Sequence, residues 1–323
     1  MDKSTKFFGI DISKDIFDVM TMNDQHYQFS NSTKGFKDFI KILALESICV
    51  MEATGYYHLK LAYFLLEHKV KVSIVNPLSI KRFVQMKLSK IKTDKSDAKM
   101  IRLYAQNNEL KLWKGHSKNQ IEALQITRLL DVYTKQSTAL KNKIHGEVTL
   151  GNPSNTVTKS LKRALKLIQK EKKLLEEELT ELVKYDYSEL LTNLESIPGL
   201  GRKTATMLIV FTDGFNRFDS AAALCSYTGI TPIIRKSGTS VNGRPRISKM
   251  GNQKLRNLLF LCSFTACNHN KACNDIYKRI TNKGKSKKLA LIAVCNKLLK
   301  QAFAVAKSGI PYDENYKSIL LVH

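Results

Sequence analysis

FFGIDISKDIFDVMTM, residues 7–22, decides how the start of this chain folds. Phe7–Ile12 is a near-continuous apolar run, Ser13–Asp15 is a turn, and Ile16–Met22 is a second apolar run, so two strands folded back on one another are expected. HYQFS (26–30) alternates and adds a third strand. Outward from there, GFKDFIKIL (35–43) has the pattern of a short amphipathic helix, ICVMEAT (48–54) of a buried strand, and YYHLKLAYFLLEH (56–68) of a helix. KVSIVNP (71–77) is a further apolar strand, stopped by Pro77, and helical patterning resumes through KRFVQM (81–86) and from Thr93 to Tyr104. A hairpin run of strands, then strands alternating with helices, predicts a mixed α/β sheet covered by helices.

Four acids stand out in that framework. Asp11 ends the first strand and Glu52 ends the ICVMEAT strand, where an uncompensated carboxylate is costly. If those two strands are neighbours, both acids point into one crevice at the sheet's edge. KIKTDKSDAKMI (90–101) then places Asp94 and Asp97 three apart among lysines. Two readings are open for that pair: surface ion pairs along a helix, worth a few tenths of a kcal/mol each, or carboxylates one turn apart that share a divalent cation. Hard oxygen donors around a partly hydrated ion suit Mg²⁺, or Mn²⁺. Two such ions can clamp the attacking and leaving oxygens of a phosphodiester.

Bulk composition narrows the partner. The 323 residues are enough for two or three domains, and a hydrophobic fraction of 43% makes the chain globular. Lys and Arg total 53 against 28 acids, a formal net charge of +25 spread along the whole length, which favours a polyanion. The sequence offers no apolar run near the ~20 residues of a membrane span and no signal-peptide layout at its start. Nucleic acid is therefore expected over membrane, and a cytoplasmic location is expected with it. Six cysteines fall irregularly in apolar helical stretches, as reduced structural thiols do. CSFTACNHNKAC (262–273), with His269, lacks the tight pairing of a zinc site.

From about Asn119 helices alone are expected. Ile126, Leu130, Tyr133, Ser137, Leu140 and Ile144 step 4-3-4-3-4, and Leu161, Leu165, Ile168, Lys172, Leu175, Leu179 and Leu182 step 4-3-4-3-4-3. Two heptad-patterned helices around GNPSN (151–155) make a helical hairpin, packed within the chain or as half of an intermolecular coiled coil. The expected organisation is an α/β domain over 1–115, a helical hairpin over 116–188 and a mainly helical domain over 189–323.

Two basic motifs lie in the last part. IPGLGRKTA (197–205) has the composition of a helix-hairpin-helix. Pro198, Gly199 and Gly201 form a tight turn, the next helix opens with outward amides that can hold a phosphate, and Arg202 and Lys203 add charge. The alternative is a plain turn with surface bases. TPIIRKSGTSVNGRPRISKMGNQKLR (231–256) reads as a flexible loop in which Ser237 and Ser240 are ringed by Arg235, Lys236, Arg244, Arg246 and Lys249. A serine among guanidinium groups can attack a phosphodiester, because they stabilise charge developing on the phosphoryl group, or it can merely donate a hydrogen bond to a gripped phosphate.

GIDISK, MEATGYY, VNP and KTDKSDA resemble a RuvC-type, ribonuclease-H-like nuclease domain of the DEDD class, as found in insertion-sequence transposases of the group numbered one-ten, which includes the bridge-RNA-guided recombinases. The resemblance runs on into the C-terminal part and covers nearly the whole chain. It implies that Asp11, Glu52, Asp94 and Asp97 are the metal-binding DEDD set, and that Ser237, followed by Gly238, is a nucleophile forming a phosphoserine link to cut DNA, with Ser240 as the alternative. It also implies DNA as substrate, a structured guide RNA encoded by the element, and a dimer or tetramer in which the serine acts across a subunit boundary. ISKMGNQKLR (247–256), with Asn252 and Arg256, matches the same group, in a role that folding would equally explain. The rival functions are a junction-resolvase-like nuclease using the same acids with water as nucleophile, and a non-catalytic nucleic-acid-binding protein. An actin-like ATPase, suggested by GIDIS, lacks its second glycine-rich phosphate loop.

Overall fold

A computed structural model of the chain describes residues 6–315 except 45, 54, 89–92, 234, 235, 238–240 and 243–245; at 236, 237, 241 and 242 it describes the backbone alone. The chain divides into two compact units, residues 1–116 and 117–323.

The first unit is built on a five-stranded sheet. Its strands are β1 (Lys6–Ile12), β2 (Ile16–Met20), β3 (His26–Ser30), β4 (Ser47–Glu52) and β5 (Lys71–Val75), in the order β3-β2-β1-β4-β5. The β1–β2 and β2–β3 pairs are antiparallel, while β1–β4 and β4–β5 are parallel. Helices α1 (Thr33–Ile40), α2 (Tyr57–Glu67), α3 (Pro77–Met86) and α4 (Asp94–Asn107) join or follow the strands. Apolar side chains on both sheet faces explain the near-continuous runs. Phe8, Ile10, Phe17 and Met51 pack with Phe36, Phe39 and Leu61 of α1 and α2. On the other face Phe7, Val50 and Val75 pack with Ile80, Ile101 and Ala105 of α3 and α4. The mixed, helix-covered sheet expected from the strand pattern is therefore present.

On that second face α4 sits unusually close to β1. A Cβ added to Gly9 would lie 2.2 Å from the Ala98 carbonyl oxygen and 2.4 Å from the Arg102 amide nitrogen. The helix is also tied to the β2–β3 turn: the buried Arg102 guanidinium donates from Nη2 to Asp24 at 2.6 Å, and Lys99 reaches the same carboxylate at 3.3 Å.

The second unit contains α5 (Lys118–Thr149), α6 (Asn155–Glu195), α7 (Arg202–Thr212), α8 (Ala221–Thr228), α9 (Gln253–His269), α10 (Lys271–Asn282) and α11 (Lys287–Ser308). Non-helical angles at Tyr187 kink α6. The heptad seam is buried near the unit's core, at Ile126, Leu130, Ser137 and Leu179, and half-buried toward the α5–α6 loop, at Leu140, Ile144, Leu161 and Leu165. Ala123, Ile126, Leu130, Leu179 and Val183 share one core with residues of α7 to α11.

Two expectations need correcting here. Strands do recur after Asn119: β6 (Pro232–Ile233) pairs with β9 (Arg246–Ile247), and β7 (Lys236–Ser237) with β8 (Val241–Asn242), both antiparallel. The β-branched residues of that segment suit a ribbon, but runs of two residues are too short for a periodicity signal. One helix, Lys287–Ser308, is also long and apolar enough by length and composition to cross a membrane. Its apolar face (Ala290, Leu291, Val294, Cys295, Leu298, Leu299, Ala302, Val305) is buried in the core of its own unit.

Gly9→Ala is expected to lower stability by about 2 kcal/mol or more, because the clash is with backbone that cannot rotate away. Urea unfolding would show it as a lower midpoint at unchanged slope.

Candidate active site

The register of the parallel β1–β4 pair aligns Gly9 with Val50 and Ile10 with Met51. Continued by one residue, it sets Asp11 beside Glu52 at the strands' C-terminal ends. Side chains alternate along a strand, so both acids share the face on which Phe7 and Val50 meet α4. Thr93 fixes where α4 begins. Its side chain accepts from the Ser96 amide at 3.1 Å, and Ser96 Oγ accepts from the Thr93 amide at 2.8 Å. This reciprocal cap places Asp94 and Asp97 in the first turn, where carboxylates also favour the helix dipole. Of the neighbouring lysines, Lys99 pairs with Asp24 instead.

The carboxylates feel one another. Burial, then the charges of Asp97, Asp94, Glu52 and Asp18, push the Asp11 carboxyl up to about 6. Among the described residues no three His, Cys, Asp or Glu side chains are drawn tightly enough to enclose an ion. The acids act on Asp11 through their electrostatic field. A donor set of hard carboxylate oxygens in which burial and then the neighbouring charges raise the Asp11 carboxyl to about 6 fits a divalent cation.

Asp18 was not among the expected acids. It lies opposite Asp11 in the β1–β2 register and is buried. His26 Nε2 donates to Asp18 Oδ1 at 2.7 Å, and Gln28 Nε2 reaches the same oxygen at 3.4 Å. The signal was an acid inside the buried run IFDVM, the criterion that singled out Asp11 and Glu52.

In the second unit the backbone of Ser237 pairs with Val241. The side chains of Ser237 and Lys236, and all of Arg235, Gly238, Ser240 and Arg244, lie outside the described residues. Arg246 is exposed on β9, and Lys249 is exposed after it. Asn252 and Arg256 hold the fold: Asn252 Oδ1 caps α9 by accepting from the Leu255 amide at 3.0 Å, and Arg256 donates to the Thr228 carbonyl at 2.8 Å. Gly199, at φ +95°, lets its turn press on α9, where a Cβ would come within 2.7 Å of Ala266. Gly201 is the N-cap of α7. Arg202 and Lys203 are each engaged, Arg202 with both oxygens of Glu195 and Lys203 with Glu176. Such exposed pairs are worth at most about 1 kcal/mol, so a phosphate can displace them. An open groove of about 600 Å³ runs past Pro198, Gly199, Arg202, Lys203, Leu258 and Leu261.

The six cysteines are free thiols, five of them buried. Burial pushes Cys273 and Cys295 up to about 12, which makes them inert. In the CSFTACNHNKAC stretch Asn270 bridges elements, accepting from the Cys273 amide and donating to Gln301 and to the Pro198 carbonyl.

A mixed sheet with acids at adjacent strand ends, faced by a helix that brings two more, is compatible with a DEDD nuclease-like domain, a class that depends on divalent metal. Comparison with known proteins agrees. A DEDD-type transposase family model bearing the IS110 name matches residues 8–153, and the model described as "Transposase IS116/IS110/IS902 family" matches residues 191–278. The chain is 29% identical over 330 residues to the pilin gene-inverting protein of Moraxella lacunata, covering 96% of this chain and 98% of that one. It is 28% identical over 323 residues to the protein of the same name from Moraxella bovis. The transposase for insertion sequence element IS1111A of Coxiella burnetii is 26% identical over 286 residues, covering 80% of this chain and 76% of its own length. The chain belongs to the IS110 family of transposases, enzymes of DNA recombination.

The raised Asp11 carboxyl makes a stability prediction. A carboxyl held protonated by the fold favours folding at low pH, so this contribution is present below about pH 4 and is lost as pH rises to about 6. Full burial would make the loss about 3 kcal/mol; partial exposure reduces it to about 1 kcal/mol. In chelator, Asp11→Asn is therefore expected to be more stable than wild type by about 1 kcal/mol at pH 7 and equal to it near pH 4. Added Mn²⁺ should raise the melting temperature of wild type and not of the variant.

Proposed function

We propose that this transposase cuts and rejoins DNA strands with Ser237 as nucleophile and with Asp11, Glu52, Asp94 and Asp97 as a site for Mg²⁺, for which Mn²⁺ can substitute. The observation that carries the proposal is that Asp97, Asp94 and Glu52 lie near enough to Asp11 to help raise its carboxyl, together with membership of a DEDD-type transposase family. Bound there, a divalent cation would supply positive charge to the phosphate oxygens in the transition state.

The chain's own residues do the rest. The Ser237 hydroxyl attacks phosphorus, a serine–phosphate bond forms as the P–O bond to deoxyribose breaks, and the hydroxyl proton passes to the released oxygen or to water. Arg235, Lys236, Arg244, Arg246 and Lys249 neutralise charge on the transferred phosphoryl group. The serine ester conserves the phosphodiester energy, so rejoining needs no nucleotide cofactor. Ser240 is the alternative nucleophile.

The turn at Pro198–Gly201 is proposed as a helix-hairpin-helix that holds DNA backbone through the start of α7, with Arg202 and Lys203 exchanging their glutamates for phosphate. The α5–α6 pair is proposed as a coiled-coil hairpin that joins copies of the chain into a dimer or tetramer. A structured RNA encoded by the element is proposed as guide, resting on the family resemblance and the basic surface. The names of the Moraxella relatives, pilin gene-inverting proteins, extend the proposal to inversion of a DNA segment.

The deciding experiment traps the covalent intermediate. End-labelled element-junction DNA, RNA transcribed from the element's flank, and Mg²⁺ are incubated with wild type, Ser237→Ala or Asp11→Asn, and resolved on denaturing gels. Label is expected on wild-type protein and absent from both variants. Cleaved free DNA without an adduct, undiminished by Ser237→Ala, would make the chain a hydrolytic, junction-resolvase-like nuclease.

A further inference from the structure

Between Lys278 and Lys288 six of eleven residues are basic and none is acidic: Lys278, Arg279, Lys283, Lys285, Lys287 and Lys288. All six are exposed. Some bases elsewhere are drawn into ion pairs, as Arg102 is by Asp24, Arg202 by Glu195, Lys203 by Glu176 and Lys254 by Asp131. These six are in none among the described residues.

Folding accounts for part of the cluster. Arg279 lies in the last turn of α10, where a cation complements the helix dipole. It does not account for Lys285, Lys287 and Lys288. Lys287 and Lys288 open α11, and Lys285 precedes its cap Ser286, where a cation has the wrong sign and costs about 0.3–1 kcal/mol at low salt. α11 has no acid in its first turn to offset them. Lys283 and Lys285 flank Gly284, which turns the chain tightly at φ +69°; a Cβ there would meet nothing within 4 Å, so the turn stands open to solvent. Lys285, Lys287 and Lys288 are thus crowded where the isolated protein gains nothing from them; Lys283, the C-cap of α10, has its dipole benefit but adds to the crowding, and a polyanion would offset the repulsion among all four.

The chemistry of the turn identifies which polyanion. Unpaired strands are held largely by stacking on aromatic side chains, and residues 278–288 contain no aromatic; the nearest, Tyr277, packs against the core. Lysines without stacking partners contact phosphates and read no bases. We propose that the turn joining α10 to α11 is a separate contact for the phosphate backbone of duplex DNA, made by Lys283, Lys285, Lys287 and Lys288. It rests on the family's action on DNA and adds a surface distinct from the Pro198–Gly201 turn and the serine ribbon.

The test uses the full chain, an arbitrary-sequence DNA duplex and a structured RNA hairpin, with affinity followed by fluorescence anisotropy across a salt series. In the variant the four lysines become glutamine; in a second variant they become arginine. Each phosphate contact on duplex DNA contributes about 0.9 to the slope of log K against log salt. The glutamine variant is therefore expected to lower the wild-type slope by about 3–4, with a melting temperature equal to or above wild type, and the arginine variant to restore the slope. A steep wild-type slope unchanged in the glutamine variant overturns this proposal and leaves the nucleic-acid reading standing. A flat wild-type slope overturns both. Loss confined to the RNA hairpin, or loss that arginine does not restore, overturns the assignment to duplex backbone.

Discussion

The missing side chain of Gly9 fixes where the acidic helix lies. Because no Cβ stands between them, the backbone of α4 rests directly on β1, and Arg102 anchors the helix to Asp24 on the neighbouring turn. The Thr93–Ser96 cap then leaves α4 no freedom in where it starts. Together these constraints hold Asp94 and Asp97 within the field of Asp11, at a cost visible in the raised Asp11 carboxyl. Apolar packing on both faces of the sheet offsets that cost. Assembling like charges at one edge is a stability penalty that makes sense only if something of opposite sign is to be bound there.

Much of this unit was legible in the sequence because its strands are long enough to carry a pattern. Phe7–Ile12 and Ser47–Glu52 read as strands, and their acids stood out because charge at the end of an apolar run is expensive. Asp18 escaped notice although the same reasoning applied, because it sits inside its run and its partners His26 and Gln28 come from the next strand. Sequence proximity shows a cost; only the fold shows who shares it. The β6–β9 ribbon escaped for a different reason: its strands are two residues each, below the length at which alternation can be seen. The apolar periodicity of α11 is plain in its residues, and packing against its own unit accounts for a helix apolar and long enough to cross a membrane.

Net charge was a sound guide to the class of partner and a poor guide to where it binds. Arg202 and Lys203 look from the sequence like free phosphate grips, but the fold brings Glu195 and Glu176 to them. Lys283, Lys285, Lys287 and Lys288 sit in a stretch with no motif, and the fold brings them no acid partner among the described residues. A base already paired within the chain must exchange one partner for another and gains little, whereas an unpaired base crowded among its like gains the relief of repulsion as well. Availability, set by tertiary structure, decides which of the 53 bases matter.

Such contacts also bear on how a recombinase could choose its site. A helix start at Arg202 and a lysine turn at 283–288 would, as proposed, hold phosphates, and phosphates are the same in every sequence. If these surfaces supply most of the affinity, they supply correspondingly little of the discrimination, and the salt-dependent part of binding will be nearly independent of sequence. Discrimination must then come from base edges read elsewhere or from base pairing to a second nucleic acid. Pairing needs from the protein only a positively charged frame that holds backbones, which is what an exposed basic turn provides. In the guided recombination proposed above, the chain would contribute grip and chemistry while another strand contributes the address.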